Sequence, residues 1–362
     1  MKNPKKLLSI ALSCIMISAL STTAFAADIQ SLGTEKTLSA KGYSFTITEK
    51  VNPNYSVTRT YTRDTAMTRS TPDLNETKAL LQVLGMDTSE ITAIPSETMQ
   101  DFATGEEITV VTSYSKHSES SNQTTYLPKE TALAEAAALK PQQEAYFLEH
   151  PESGISPMGE IPNESSTPGI FKDDYMKMTH AAVRLRNGKG LYKFTTSATW
   201  LTTPLFRGFD SIGSCAMDAT VNRSTISGSY YYTTKTYNAG QLTNTTNSGK
   251  KPFTRTESVD KNDWYGCAGI FTLPSNTQIS GGVSILQSDI GAYFEYQGHV
   301  RYPEQSSYFN TVGSYSHAVV SVSFTPSVTI STTLPFVSAG IALDIFPDVD
   351  IRNAEDEIHY IP

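Results

Sequence analysis

The sequence predicts a mainly β protein, in which a small α+β domain precedes an antiparallel β-sandwich or barrel-like domain. Three observations support this fold class. Thr, Tyr and Val are abundant beside many Ser residues, and this composition favours strands over helices. Apolar and polar side chains alternate along many short segments, which is the period of a strand with one buried face. Patterns typical of helices are confined to residues 71–140.

The first 26 residues have the pattern of a signal peptide. Three Lys residues precede an apolar stretch at residues 7–20, and the small residues Ala24 and Ala26 form a cleavage motif. We expect cleavage between Ala26 and Ala27 and a secreted, extracellular mature chain. The apolar stretch is too short to span a bilayer, and no later window has the roughly 20 apolar residues that a spanning helix needs.

The mature chain is acidic. Removing residues 1–26 takes away three Lys and no acidic residue, so 25 basic residues remain against 36 acidic ones and the net charge becomes −11. This charge argues against binding to nucleic acid and against electrostatic binding to anionic lipid.

A segment rich in Pro, Gly and Ser divides the chain at residues 150–172. No helix or central strand is expected to pass through its prolines, because proline lacks the backbone donor that both structures use. Its prolines are Pro151, Pro157, Pro162 and Pro168. The predicted parts are a signal peptide at 1–26, an α+β domain at 27–149, the linker at 150–172 and an all-β domain at 173–362.

The α+β domain is predicted to contain one hairpin and several helices. Residues 43–62 alternate as two strands around a turn near Pro53. Helix patterns follow at 71–85, at a second start marked by Asp87 and Glu90, and at 96–103, before a strand at 108–114. The Ala-rich residues 129–140 predict a helix that Pro141 ends. We expect the apolar helix residues to form a small core over the hairpin.

Many short strands are predicted after the linker. A hairpin turn is expected at Asn187 to Gly190, where small residues suit a tight turn. The predicted strands are 178–185, 191–201, 214–221, 229–237, 265–273, 283–286, 292–300, 319–324, 328–334 and 341–346. Short strands with polar turns between them are typical of a sandwich or barrel.

The sequence predicts a two-faced ribbon at residues 320–334, with Ser or Thr at every odd position between and mainly apolar residues at the even ones. Pro326 divides it into two strands. Its apolar row contains Val320, Val322, Phe324, Val328 and Ile330. The pattern resembles the membrane-inserting segments of secreted β-barrel pore-forming toxins, whose spanning strands need only about 9 to 11 residues. The alternative interpretation is a solvent-facing sheet surface whose apolar side packs on a partner sheet.

Two cysteines remain after residue 26, Cys215 and Cys267. Each lies on the apolar side of its predicted strand, so we expect a disulfide across a packed core, as export permits. The alternative is two buried thiols. A catalytic Cys paired with a His is disfavoured because no family signature surrounds either Cys.

Aromatic side chains are the candidate ligand-binding residues. Exposed Tyr and Trp rings are flat platforms on which sugar rings stack. The candidates are Trp200, Tyr230, Tyr231, Tyr232, Trp264 and Tyr265. Strand alternation sends the outer two of the three consecutive Tyr to one face and the middle one to the other, so at least one is expected in the core. The alternative for the two Trp residues is a role as core anchors.

No catalytic motif, zinc motif, phosphate-binding loop or nicotinamide fingerprint occurs, so no catalytic residue and no cofactor are predicted. Acidic residues near the C-terminus are possible Ca²⁺ ligands, although their spacing fails the EF-hand pattern. These are Asp344, Asp348, Asp350, Glu355, Asp356 and Glu357. A solvated acidic tail is the simpler interpretation.

Three hypotheses for function follow, and the general style of the sequence resembles secreted proteins of Gram-positive bacteria. The preferred one is a non-catalytic extracellular interaction protein that binds a cell-wall polymer, a glycan or another protein. The second is a pore-forming toxin or bacteriocin-like protein that uses the ribbon. The third is an extracellular hydrolase whose site is assembled only in three dimensions.

Overall fold

The computed structural model describes residues 33–63, 73–118, 121, 123–150, 169–186, 188–204, 207–261, 264–279, 282–318 and 349–360. The predicted cleavage site at Ala26 and Ala27, residues 151–168 of the predicted linker and the two-faced ribbon at 320–334 lie outside the described residues. Residues Glu35–Pro362 form one compact unit.

Seventeen strands are described. They are β1 (Thr34–Ala40), β2 (Tyr43–Val51), β3 (Val57–Thr62), β4 (Glu107–Ser118), β5 (Gln123–Tyr126), β6 (Asp173–Arg184), β7 (Leu191–Trp200), β8 (Phe209–Ala216), β9 (Ala219–Asn238), β10 (Gln241–Asn247), β11 (Lys251–Pro252), β12 (Arg255–Lys261), β13 (Trp264–Thr272), β14 (Thr277–Ile279), β15 (Val283–Val300), β16 (Ser307–Ala318) and β17 (Val349–Tyr360).

The strands form two antiparallel sheets, which confirms the predicted mainly β fold class. The large sheet has the order β1-β2-β3-β4-β6-β7-β15-β9-β10, with β5, β11 and β14 paired to its members. The small sheet has the order β12-β13-β8-β16-β17. The small sheet packs face to face on one side of the large sheet in a common core.

Four α-helices are described, α1 (Leu74–Val83), α2 (Thr88–Ala93), α3 (Ser96–Thr104) and α4 (Lys129–Glu149). The predicted capping box is present at α2, where the Asp87 backbone N–H donates to Glu90 Oε2 at 2.6 Å. The prediction that Pro141 ends the last helix is wrong, because α4 continues to Glu149. Its second half is held by tertiary packing, with Gln143 and Phe147 buried.

The predicted linker does not separate two sheets. β4, from the predicted α+β domain, pairs with β6, from the predicted all-β domain, in a register that runs from Glu107–Arg184 to Ser118–Asp173. The two halves therefore share one large sheet.

Helices cover the other face of the large sheet. Cross-strand partners share a face, so the register places Tyr114 and Lys177 on the helix side, and both sides of β6 are buried. α1, α2 and α3 pack there in one apolar cluster, and α4 packs on Tyr114 and Tyr175 in another. The result is three layers, with the large sheet in the middle.

One buried ion pair joins a helix to the middle sheet, and a second lies within the sheet beneath another helix. Lys177 Nζ lies 2.6 Å from Glu90 Oε2 and 2.7 Å from Asp87 Oδ2, and it donates to the Gly85 carbonyl at 2.9 Å. Burial alone would lower the pKa of Lys177, but the charges of Glu90 and Asp87 outweigh it and raise that pKa. Gly85 has a φ of 110°, and a Cβ there would lie 2.9 Å from Arg59 and Thr112.

The second pair lies under α3. Lys193 Nζ is 3.0 Å from Glu295 Oε1, and both side chains are buried. Glu295 Oε2 accepts hydrogen bonds of 2.6 Å from the Thr98 and Tyr293 hydroxyls. Because Thr98 belongs to α3, this carboxylate fixes the helix against β7 and β15.

Buried polar groups also join the two sheets. The ring nitrogens of His180 lie 3.0 Å from Thr196 Oγ1 in the large sheet and 2.7 Å from Thr311 Oγ1 in the small sheet. Burial lowers the pKa of His180 to about 3, so the ring is neutral at physiological pH.

A second buried network lies beside Trp200. His317 Nδ1 is 2.8 Å from Asp210 Oδ1, and the Tyr315 hydroxyl donates to the same carboxylate. Trp200 Nε1 in turn donates to the Tyr315 hydroxyl at 3.1 Å. On β17, the Arg352 guanidinium pairs with Asp174 and lies 5.0 Å from the centre of the Trp200 ring.

The predicted disulfide between Cys215 and Cys267 is absent, and both thiols are free and buried. Cys215 pairs in register with Gly266, and Cys267 pairs with Ser214. Neighbouring residues on a strand point to opposite faces, so the two thiols lie on opposite sides of the small sheet. The prediction assumed one strand across 214–221, whereas β8 ends at Ala216 before a turn.

The first prediction concerns these thiols. In the chain without residues 1–26, the melting temperature should be unchanged by a reductant, and a thiol reagent should titrate two groups only after unfolding. The reason is that both cysteines are free and buried. Unfolded, non-reduced protein that titrates no thiol would contradict the assignment.

The second prediction concerns the ion pair of α2. Lys177→Met should destabilise the fold by about 3–5 kcal/mol in urea unfolding, because it leaves the Glu90 carboxylate buried without its cation. The double variant Lys177→Met/Glu90→Leu should recover much of that loss.

A matched control is Lys189→Met, which removes the exposed Lys189–Glu304 pair of 2.9 Å. It should change the free energy of unfolding little, since exposed pairs contribute little. Equal losses of unfolding free energy in Lys177→Met and Lys189→Met would contradict the assignment of a buried Lys177–Glu90 pair.

The third prediction concerns His180. Its pKa is about 3 in the folded protein against a reference value of 6.5, so between these values the unfolded chain binds more protons than the folded one. Stability should therefore fall as pH drops below 6.5, by up to about 1.4 kcal/mol per pH unit from this residue. His180→Gln should lose this contribution. The measurement is the free energy of unfolding of both proteins at several pH values. The same dependence on pH in both proteins would disprove the prediction.

Candidate functional site

The candidate site lies on β9, a strand of 20 residues whose side chains alternate between the two faces of the large sheet. Tyr230 and Tyr232 pack beside the core between the sheets, whereas Tyr231 packs with the helix-side core. Thr234 and Thr236 continue the row of the two outer Tyr residues, because residues two apart on a strand share a face.

One end of this row is aromatic. The rings of Tyr230 and Tyr232 are stacked, with centroids 6.3 Å apart and an interplanar angle of 23°. Tyr230 also stacks on the buried Phe271 at 5.0 Å. Both Tyr rings remain partly exposed. The core therefore fixes their orientation while leaving part of each ring accessible.

The other end of the row carries hydroxyl and amide groups. The Thr234 hydroxyl donates to Gln287 Oε1 at 2.7 Å, and the same register places Thr246 opposite Thr234 and Asn244 opposite Thr236. The seven residues that share this face are named the Tyr/Thr face. They are Tyr230, Tyr232, Thr234, Thr236, Asn244, Thr246 and Gln287.

Contacts behind the Tyr/Thr face hold its strands in place. On the opposite face of β9, Lys235 pairs with Glu144 of α4 at 2.8 Å. The Gln287 backbone is held from both sides, because its N–H donates to Asn276 Oδ1 at 2.8 Å and its carbonyl accepts from Arg207 Nη2 at 2.9 Å. Burial lowers the pKa of Arg207 to about 9. These contacts hold the strand backbone in place beneath the face.

Phe253 supports the aromatic end. Its ring lies 5.5 Å from that of Phe271. A Cβ at Gly228 would come within 2.2 Å of the Phe253 ring, and one at Gly269 within 2.1 Å, so both positions must lack a side chain for the ring to fit. The sequence analysis did not identify Phe253, because nothing local shows that these two distant glycines face it.

This arrangement suits the recognition of a polyhydroxylated ligand. Partly exposed Tyr rings offer an apolar surface and a hydroxyl group. Thr hydroxyls donate and accept hydrogen bonds, and the Asn and Gln amides do both. The seven side chains carry no charge, so the face itself favours neutral ligand groups.

No known family model matches the chain, and no curated protein matches it in sequence. Similar solved structures include the collagen-binding domain from a Staphylococcus aureus adhesin and the collagen-binding subdomain of the Enterococcus faecalis surface protein ACE. Each has 7% sequence identity and a TM-score of 0.22, and each match covers 49% of this chain and 92% of the other. Similarity at this level assigns neither a ligand nor a function.

The structure separates the six predicted binding residues. Tyr230 and Tyr232 belong to the Tyr/Thr face. Trp200 is buried in the network between the sheets, as the core-anchor alternative expected. Tyr231 lies on the helix side, where burial raises its pKa to about 12. Trp264 and Tyr265 begin β13, and their side chains lie outside the described part of the structure.

Two further predicted features concern metals and membranes. Among the described residues, no group of three or more His, Cys, Asp or Glu side chains is placed to hold a metal ion. Asp344 and Asp348 lie outside these residues, and the other four candidate Ca²⁺ ligands lie on β17. None of the described helices combines the length and the apolar character that a membrane span requires.

Proposed function

We propose that this chain is an exported, non-catalytic binding protein that recognises a polysaccharide through the Tyr/Thr face. The observation that carries the proposal is the position of a stacked Tyr pair and a row of hydroxyl and amide groups on one strand face. The core and α4 hold that face from behind.

The chemistry of the face favours a sugar polymer over an apolar ligand. A sugar ring has C–H groups that pack on aromatic rings and hydroxyl groups that pair with Thr, Asn and Gln side chains. Tyr230 and Thr236 are six residues apart, so the row extends for about 20 Å along the strand. A site of that length accommodates several consecutive sugar rings, which favours a polymer.

The predicted export agrees with such a ligand. A signal peptide would deliver the chain to the compartment where bacterial cell-wall polysaccharides lie. Recognition by rings and hydroxyl groups requires no cofactor and no reacting group.

The fourth prediction tests this function. Tyr232→Ala should weaken co-sedimentation with purified bacterial cell walls about tenfold, because it removes the partly exposed ring on which a sugar stacks. The effect is measured as the apparent dissociation constant of the folded variant, and circular dichroism checks the fold.

Tyr302→Ala is the matched control, since Tyr302 is 56% exposed and lies after β15, outside the Tyr/Thr face. It should bind like the wild type. Wild-type protein that binds neither walls nor any polysaccharide on an immobilised array would refute the function. Binding that survives polysaccharide digestion of the walls but not proteolysis would favour a protein ligand instead.

A further inference from the structure

Lys251 lies beside the Tyr/Thr face. β11 pairs with β9 so that Lys251 is opposite Tyr230, and cross-strand partners point to the same face with their Cβ atoms about 5 Å apart. Lys251 is exposed. Among the described residues, no carboxylate forms an ion pair with it.

The charge of Lys251 is therefore available to a ligand. The other Lys near the face, Lys235, points to the opposite side and is paired with Glu144. The chain as a whole has a net charge of −8. Lys251 therefore places a positive charge beside an uncharged face on a protein whose net charge is negative. An acidic group on a ligand that packs on the Tyr/Thr face would gain a favourable contact with Lys251.

From this geometry we infer that the site takes an anionic polysaccharide, with an acidic group at Lys251 and the adjoining sugar ring on Tyr230 and Tyr232. This inference rests on the proposed function. A carboxylate or phosphate attached to a sugar ring lies within a few ångströms of that ring. The Cβ atoms of Lys251 and Tyr230 lie about 5 Å apart, so the flexible Lys251 side chain can reach an acidic group on a sugar ring that packs on Tyr230.

The fifth prediction tests the inference with two forms of one polymer. The probes are a uronic-acid polysaccharide and its carboxyl-reduced form, which keeps the sugar backbone and loses the charge. Wild-type protein should bind the acidic form about threefold more tightly, as an exposed ion pair allows. Lys251→Gln should bind both forms equally, because the variant lacks the ammonium group that pairs with the carboxylate of the acidic form.

Lys250→Gln is the matched control, since Lys250 is also exposed but precedes β11 and is not paired opposite Tyr230. It should keep the preference for the acidic form. Equal loss in both Lys variants would overturn the assignment to Lys251, because it would show a diffuse charge effect. A polyol-phosphate polymer and its dephosphorylated form, run in parallel, identify which acidic group is preferred.

The outcomes distinguish this inference from the proposed function. If the wild type binds both polymer forms equally and Tyr232→Ala abolishes both, the function stands and the inference fails. If the wild type binds neither form of the uronic-acid polymer and neither form of the polyol-phosphate polymer, the inference fails. The proposed function fails with it when the wall and array measurements are negative as well. Tighter binding to poly-glutamate than to the acidic polysaccharide would also overturn the inference, because the partner would then be an acidic peptide.

Discussion

Burial of both faces of the large sheet is the constraint on which the rest of the structure depends. The strands β6, β7 and β15 lie between the helices and the small sheet, so most of their alternating side chains point into a core. A polar side chain in such a strand must find a partner inside the protein, because an unpaired buried polar group costs free energy. Lys177 and His180 meet this requirement by reaching across to another layer, and Lys193 meets it by pairing with Glu295 on the neighbouring strand.

These contacts also fix how the layers sit on one another. Lys177 and Lys193 reach α2 and α3 through carboxylates, and His180 reaches the small sheet through Thr311. Buried ion pairs are weak sources of net stability, because desolvation offsets their attraction. Their larger effect here is on register, since sliding α2 along the sheet would separate Lys177 from Glu90, and sliding α3 would break the Thr98–Glu295 hydrogen bond.

Sequence patterns predicted the fold class and most elements, but they did not predict this layering. β7 contains Thr195, Thr196 and Ser197, which suggest an exposed strand, yet all three are buried because layers distant in sequence cover both faces. The predicted disulfide failed for a related reason: the register between β8 and β13, which local patterns do not determine, places the two thiols on opposite sides of the small sheet. Local alternation did place Tyr231 opposite its neighbours, because that relation depends only on the strand itself.

The Tyr/Thr face lies where the large sheet is no longer covered on both faces and its side chains become partly exposed. β9 pairs with β15 along most of its length, and a bulge at Asp289 and Ile290 interrupts the register opposite Tyr232. Bulges bend and twist a strand. Beyond this one, Thr234 and Thr236 are partly exposed while α4 still packs behind them. A ligand that binds this face gains contacts without unfolding a layer, so affinity should depend on the exposed side chains, whereas stability should depend on the buried ion pairs.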